Sequence, residues 1–410
     1  MIYLFLLLIF FIFICLFLAF IFRPEKRYYP LISLSALFCI YFSEIFFIIL
    51  SLFSIVDYLA MRNIFTKKMK ILLNLSITVF SYYLFYKDPL ILNIGVLKFN
   101  ILHFSLMVLF FNRLNDDLNE RVKKNIRTIL LSNFFFPRLL TPVISNFDEE
   151  ARFFKDEHHF QIGSFIEGAK KIVFGIFIVL CILIPGGRFL GTVSESSLFV
   201  FSKGLLFLCF IYSIYNLGAG CLELFNYRVY RNFNSPLVPS GFIDFWKRWC
   251  VTFYNFSKSI QNHAVKKPNN FLTVLISLLV QFIYFHSFLS AFEFFSSMLL
   301  LLLTSKIFNS SIVFKKITYR EKFLGYFLKL FTIILIILSF GASFKLESEP
   351  FIGEYLDIGS LIIFFMSCFF LFIYHYQQKR NNSIFELLPS SKTITAGVFI
   401  LYVMMFGDFL

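Results

Sequence analysis

The chain has 410 residues, of which 59% are hydrophobic and only 15% charged, and its formal net charge is +14. Mean hydropathy is +0.78 and the pI is near 9.4. A soluble domain carries about a quarter charged residues and just under half apolar ones, so this composition excludes a disordered tail, a soluble Rossmann-type enzyme and a fibrous repeat.

A helix that crosses a bilayer needs roughly 20 apolar residues. In chain order the candidate spans are 1–22, 31–56, 70–87, 89–112, 170–186, 196–217, 271–286, 287–305, 324–343, 359–376 and 393–409. The first lacks a basic n-region and a small-residue cleavage site, and reads as a retained helix rather than a signal peptide. Lys98, Asn100 and His103 interrupt the fourth. The stretch 271–305 is either a helix pair broken near His286 to Ser290 or a single long tilted helix. The expected class is therefore all-α: a polytopic integral membrane protein with about 10–12 transmembrane helices, plus re-entrant and interfacial helices. No internal repeat or low-complexity linker is visible, so residues 1–410 are read as one membrane-embedded domain.

The connectors carry the charge. The mixed-sign run 113–127 (Arg113, Asp116, Asp117, Glu120, Arg121, Lys123, Lys124, Arg127) reads as a solvated helix face. Residues 306–323 are basic, 345–357 acidic on balance and 377–392 basic again. That order predicts inside, outside, inside, with the C-terminus outside if 393–409 spans. The connectors 23–27 and 62–70 are both basic although one span is expected between them. Charge in connectors suits anionic headgroups, and no basic, aromatic-interleaved module stands apart as a nucleic-acid reader.

Two segments do not read as simple spans. Asn133 to Ile144 carries Pro137 and Pro142 in an apolar run, which predicts a broken or re-entrant segment. Between Asn232 and His263, Phe242, Phe245, Trp246, Trp249, Phe253 and Phe256 recur at spacings of three and four. That stripe predicts an amphipathic helix at the interface or beneath the bundle.

Chemistry-bearing groups are few. There is no Walker A, GxGxxG, HExxH or GxSxG run. Cys15, Cys39, Cys181, Cys209, Cys221 and Cys368 lie in apolar stretches without CxxC spacing and read as small buried hydrophobes. The His158–His159 pair has no suitably spaced ligand cluster near it, and no metal is expected. His286 sits within LLVQFIYFHSFLSAFEFF. An imidazole at membrane depth faces a bundle interior or a wet cavity. It serves either as a general base, its pKa lying near working pH, or as a structural group bonded to a neighbouring carbonyl.

The run Asn232-Phe233-Asn234-Ser235-Pro236, followed by Asp244-Phe245-Trp246-Lys247-Arg248-Trp249, resembles the NFNxP…EFWxRWH signature of the bacterial membrane-bound O-acyltransferases. His286 in Phe285-His286-Ser287 stands 36 residues beyond Cys250, in the place of that family's catalytic WHG. Phe136-Pro137-Arg138-Leu139 with Pro142 resembles its FPxLxxGP segment. The resemblance covers roughly residues 80–300. It implies transfer of an acyl group, most simply acetyl, from a cytoplasmic thioester to a hydroxyl of an envelope glycan, lipid or partner protein. His286 would be the general base, and Asn232, Asn234, Pro236, Trp246, Arg248, Trp249, Cys250 and Ser287 would support it. Asn234, Arg248 and Ser287 are candidate oxyanion donors. The implied donor is acyl-CoA or an acyl-carrier thioester, with no tightly bound cofactor. The implied partners are the bilayer, that donor and the acceptor, reached directly or through a periplasmic partner acyltransferase, and the implied location is the bacterial cytoplasmic membrane.

The chain departs from the pattern in places. Cys250 replaces the motif's terminal His and would act in packing, as an acyl relay or as a reactive thiol beside Arg248. Thr141 stands where Gly is expected, the Pro pair is one residue closer, Asn216 replaces an Asp, and the Gly residues flanking the catalytic His are missing. A transporter for a glycan or lipid, and a catalytically impaired scaffold on the same fold, are the alternatives.

Overall fold

The computed structural model describes residues 28–87, 91–94, 97–118, 126–139, 141–144, 162–192, 197–225, 227, 229–237, 239, 241–264, 269–285, 298–299 and 322–343, and Ile14. In chain order these form α1 (Tyr28–Phe42), α2 (Glu44–Met61), α3 (Lys67–Lys87), β1 (Ile91–Ile94), β2 (Leu97–Asn100), α4 (Ile101–Leu118), α5 (Ile126–Phe134) and α6 (Phe136–Leu139). They continue with α7 (Ile162–Ile178), a π-helical turn (Val179–Leu183), α8 (Ile184–Thr192), α9 (Ser197–Leu224), α10 (Phe242–Arg248), α11 (Val251–Ala264), α12 (Asn270–Phe285) and α13 (Lys322–Ser343). The regular structure among the described residues is thus helical apart from one short strand pair. Among the described residues three helices are long and apolar enough to cross a membrane: Glu44–Met61, Ile162–Gly187 and Phe199–Leu224. The expected spans at 1–22, 287–305, 359–376 and 393–409, and the charge alternation beyond 344, lie outside the described residues save for Ile14, Met298 and Leu299.

Two expected spans are corrected. The run 31–56 is two helices, because Ser43 takes an extended backbone (φ −169°, ψ 120°) and its hydroxyl accepts the Phe46 N–H at 3.2 Å. A serine N-cap followed by Glu44 in the first turn is a strong helix start. The run 89–112 is β1, β2 and the start of α4, since its polar interruptions leave no long apolar stretch. The π turn has a local cause. Pro185 has no amide to donate, and the ladder widens just before it, with the Ile184 N–H bonded to the Val179 carbonyl.

The chain divides into two compact units. Unit 1 comprises Met1–Asn93, Phe99–Gly175 and Ile214–Tyr230, and unit 2 comprises Ile94–Lys98, Ile176–Ser213 and Arg231–Leu410.

In unit 1, α4 is the central helix and is buried along almost its whole length. The solvated face expected from residue 113 onward is therefore corrected for its described part. Arg113, Asp116 and Asp117 are buried. Arg113 pairs with Asp57 of α2 at 2.8 Å, and Lys70 of α3 bridges Asp57 at 3.3 Å and Asp117 at 2.5 Å. Arg113 also donates to Asn74 at 3.2 Å, and Asn133 of α5 donates to Ser54 of α2 at 2.9 Å. Arg113 and Asp117, which read as solvated in one segment, are met by partners from other helices.

The same network turns α3 inside out. Its buried positions include Asn74, Thr78 and Ser81, while Leu72, Leu75, Val79, Phe80 and Tyr83 are exposed. Thr78 and Ser81 bond the carbonyls four residues back, at 2.7 and 2.6 Å. In α2 both faces are apolar: Phe46, Ile49, Leu50 and Phe53 inside, Ile45, Ile48, Leu52 and Ile55 outside. Helices with apolar outer faces and polar inner ones suit a lipid solvent, not an aqueous one.

In unit 2, α9 and α13 touch through Gly204 and Gly341. A Cβ on either would fall on a backbone carbonyl of the other helix, that of Ile337 or Val200.

Removing one member of a buried ion pair leaves an uncompensated charge, worth about 3–5 kcal/mol. Asp57→Ala and Arg113→Ala should each sharply lower the thermal stability of the detergent-solubilised protein. The double Asp57→Ala, Arg113→Ala variant should be less damaged than the sum of the two singles. Additive losses in that cycle would show that the two side chains do not act as a pair. Gly204→Ala should destabilise by roughly 1–3 kcal/mol, because neither backbone can give way without parting the helices. Unchanged thermal unfolding would contradict that contact.

Candidate functional site

The motif residues are not a surface helix. The single amphipathic helix expected between Asn232 and His263 is corrected to α10 and α11, broken at Trp249 and Cys250. Trp249 is extended (φ −87°, ψ 124°) and Cys250 has φ 50°. The aromatic stripe faces inward: Phe242, Phe245, Trp246, Trp249, Phe253 and Phe256 are all buried. The spacing of three and four is kept across the break, so it reads as one helix in sequence.

The two halves of the motif close on each other. The Val251 N–H donates to the Asn232 carbonyl at 2.7 Å, and the Asn234 N–H donates to the Arg248 carbonyl at 2.8 Å. The Asn232 side-chain oxygen accepts from the Thr252 amide at 3.2 Å and the Thr252 hydroxyl at 2.7 Å. Arg248 pairs with Asp244 at 2.8 Å and donates to the Asn234 carbonyl at 3.3 Å. Ser235 turns the loop at φ 51°, and Pro236 is buried beyond it. Asn234 itself is exposed.

Aromatic rings fill the space behind this clasp. Phe233 meets Trp249 edge-on at 4.7 Å, Phe245 stacks on Trp249 at 5.8 Å, and Trp246 and Trp249 both contact Phe340 of α13. From α12, Tyr284 packs on Phe253 at 4.8 Å and Phe285 on Phe207 of α9 at 6.0 Å. The α11–α12 contact also holds a buried hydrogen bond from the Thr273 hydroxyl to Gln261 at 2.6 Å. The Nε1 atoms of Trp246 and Trp249 are buried without a hydrogen-bond partner among the described residues.

Cys250 is fully buried at the centre of this unit, and burial pushes its thiol well above the ordinary thiol range. A reactive thiol needs an electropositive, accessible setting, so of the three roles expected for Cys250 this setting suits packing. Arg248, a candidate oxyanion donor, has its guanidinium engaged by Asp244 and the Asn234 carbonyl. His286 and Ser287 lie outside the described residues, as do His158 and His159. The helix that precedes His286 in sequence, α12, packs against α10 and α11.

In unit 1, the upstream Pro segment is broken as expected. α5 ends at Phe134, α6 is a single turn, and residues 141–144 are buried and non-helical, with the Val143 N–H closing a tight turn on the Thr141 carbonyl at 2.7 Å. Thr141 lies against Gly218, where a Cβ would come 2.5 Å from the Thr141 hydroxyl oxygen. The threonine that replaces the family's glycine therefore occupies space left open by a glycine on α9. The hydroxyl donates to the Pro137 carbonyl at 2.9 Å.

The clasp makes residues the motif did not single out important. Thr252, the partner of Asn232, lies beyond the motif and nothing in its residue type or spacing marks it, whereas Asp244, the partner of Arg248, stands at the start of the motif's second run without a role assigned to it. Asn232→Ala strands the Thr252 amide and should cost about 1–3 kcal/mol, whereas exposed Asn234→Ala should leave thermal unfolding nearly unchanged. Equal effects of the two would overturn the clasp. Cys250→Gly, which relieves the left-handed backbone, should retain more stability than Cys250→Val, which cannot adopt it comfortably.

No protein-family model matches the chain, and no curated protein matches it. The family resemblance rests on the motif residues alone.

Proposed function

We propose that the chain is a multi-pass O-acyltransferase of the bacterial cytoplasmic membrane, resembling the membrane-bound O-acyltransferases. One observation carries the reading: the two separated parts of the family-like motif, Asn232–Pro236 and Asp244–Cys250, fold into one hydrogen-bonded unit. That unit packs against the helix leading in sequence to His286. The three membrane-length apolar helices and the inverted pattern of α3 support the membrane setting.

The donor is a thioester, acyl-CoA or an acyl carrier, and the acceptor is a hydroxyl on an envelope glycan, lipid or partner protein. As the hydroxyl oxygen attacks the thioester carbonyl, His286 takes its proton and the carbonyl oxygen becomes an oxyanion. The C–S bond then breaks, the acyl group remains on the acceptor oxygen, and the thiolate leaves with the proton from His286. A positioned base is worth about 10²–10⁴-fold. In this reading Asn232, Asp244, Arg248, Trp246 and Trp249 hold the frame rather than touch the reacting atoms.

A scaffold that docks a separate acyltransferase is the second reading. It is favoured by the packing role of Cys250, where the family has a histidine. The transporter alternative predicts loss of the whole glycan rather than of its acyl ester.

His286→Ala should lower acceptor acylation by roughly 10²–10⁴-fold while the protein still accumulates in the membrane. The readout is mass analysis of envelope acyl esters beside an immunoblot. Unchanged acylation in that variant, with loss on gene deletion, would sink the enzyme and leave the scaffold.

A further inference from the structure

We propose that unit 1 conducts protons, along a track of buried polar side chains between α3 and α4. The inference is independent of the acyltransferase reading. It starts from the register of the two helices. Lys70 of α3 meets Asp117 of α4, Arg113 of α4 donates to Asn74 of α3, and the Tyr82 ring lies 5.2 Å from that of His103. These contacts run in opposite order along the two helices, so α3 and α4 pack antiparallel in one fixed register. That register sets Ser81 level with Ser105.

The inward side of α3 is then polar from one end to the other. Lys70, Asn74, Thr78 and Ser81 follow one another at helical spacing, and the last three are exposed by 3%, 5% and 0%. α4 adds His103 and Ser105, exposed by 3% and 1%. From Lys70 to Tyr82 the track rises about 18 Å, more than half of a hydrocarbon core roughly 30 Å thick. The Lys70 side chain keeps an opening at one end, being 12% exposed. Half-buried Tyr82, beside exposed Tyr83, stands at the other.

The ion pairs account for only part of this track. Asn74 is needed by Arg113, but Thr78, Ser81, Ser105 and His103 lie about 6 Å or more beyond it along the helices. An apolar side chain would fill each of those places with no polar group to desolvate. Polar and ionisable groups kept inside a membrane bundle line wet paths and proton relays. At the level of Thr78, α4 presents Val108 and Leu109, so the hydroxyl is the one polar side chain that these two helices supply there.

The side chains suit a file of water molecules. The Asn74 Nδ2 is buried without a hydrogen-bond partner among the described residues. The Thr78 and Ser81 hydroxyls donate to the Asn74 and Ile77 carbonyls and keep their lone pairs for a donor such as water. Along such a file each oxygen accepts a proton from one side and releases one to the other, and the His103 imidazole does the same with its two nitrogens. One proton enters and one leaves, with no other reactant. The charged groups at the Lys70 end are Asp57 from α2, Lys70 from α3, and Arg113 and Asp117 from α4, with Asp116 and Arg138 acting on Arg113. Three carboxylates match three cations, so no excess positive charge bars a proton.

The test uses the full-length protein in liposomes holding a pH-sensitive dye, with a potassium diffusion potential set by valinomycin. Wild-type protein should admit protons several-fold faster than protein-free liposomes. Thr78→Val keeps the side chain's shape, closes the track with an apolar constriction and should lower the protein-dependent influx about tenfold. Thr78→Ser should retain it, and Ser76→Ala, which removes an exposed hydroxyl from the outer side of the same helix, should leave it unchanged. Wild-type influx at the protein-free rate would overturn the proposal whatever the variants do. So would an unchanged influx in a Thr78→Val protein whose thermal unfolding matches wild type. Influx that disappears when sodium or chloride is withdrawn from both sides would mark ion-coupled transport and overturn the proton path.

Discussion

An ionised side chain removed from water costs several kcal/mol unless a partner of opposite sign meets it, and in unit 1 that constraint centres on Asp57. Its carboxylate is met by Arg113 from α4 and Lys70 from α3, and Lys70 is shared with Asp117. Much follows from this one cluster. Asn74 must face inward to reach Arg113, so α3 turns its polar side to the protein and its leucines, valine and aromatics outward. Lys70 is drawn in beside Asp117, which separates it from Lys67 and Lys68 at the same helix start. The orientation of α3 is a consequence of this pairing.

Unit 2 answers the same constraint with neutral groups. The Asn232 amide oxygen takes both donors of Thr252, and the backbone of residues 232–234 pairs with that of 248–251. A segment that must leave helical geometry at Ser235 and again at Cys250 keeps its polar backbone satisfied by pairing the two breaks. Rings from α9, α10, α11, α12 and α13 then fill the space behind them. A motif can thus be required for a fold that supports catalysis without its residues touching substrate. Mutational sensitivity at Trp246, Trp249 or Asn232 would not by itself make them catalytic. The departure at Cys250 is compatible with this role, since a buried thiol packs where an imidazole would need further partners.

Several features were legible in the chain alone. The break at Pro137 and Pro142 follows from proline chemistry and holds. The apolar composition predicted helices for a lipid solvent, and three of suitable length stand among the described residues. Other features were not legible. Ser43 is an ordinary residue within an apolar run, and its capping role depends on a backbone angle that hydropathy does not register. Arg113 and Asp117 read as solvated because their partners Asp57 and Lys70 lie more than forty positions away. The aromatic stripe of 242–256 has the period of one helix, yet the left-handed Cys250 breaks it while preserving the spacing.

Composition and local chemistry by themselves determined the apolar helical class, the Pro-broken segment and the residues worth suspecting: the NFNSP run, the two tryptophans and His286. These depend on intrinsic hydrophobicity and on backbone limits that each residue carries wherever it is placed. Only the tertiary structure decided which charges are buried, which face of α3 turns inward, and that the two parts of the motif form one clasp with Cys250 at its core. Those outcomes rest on partners brought together from distant positions, and the energy of a buried polar group is set by its partner rather than by its own identity.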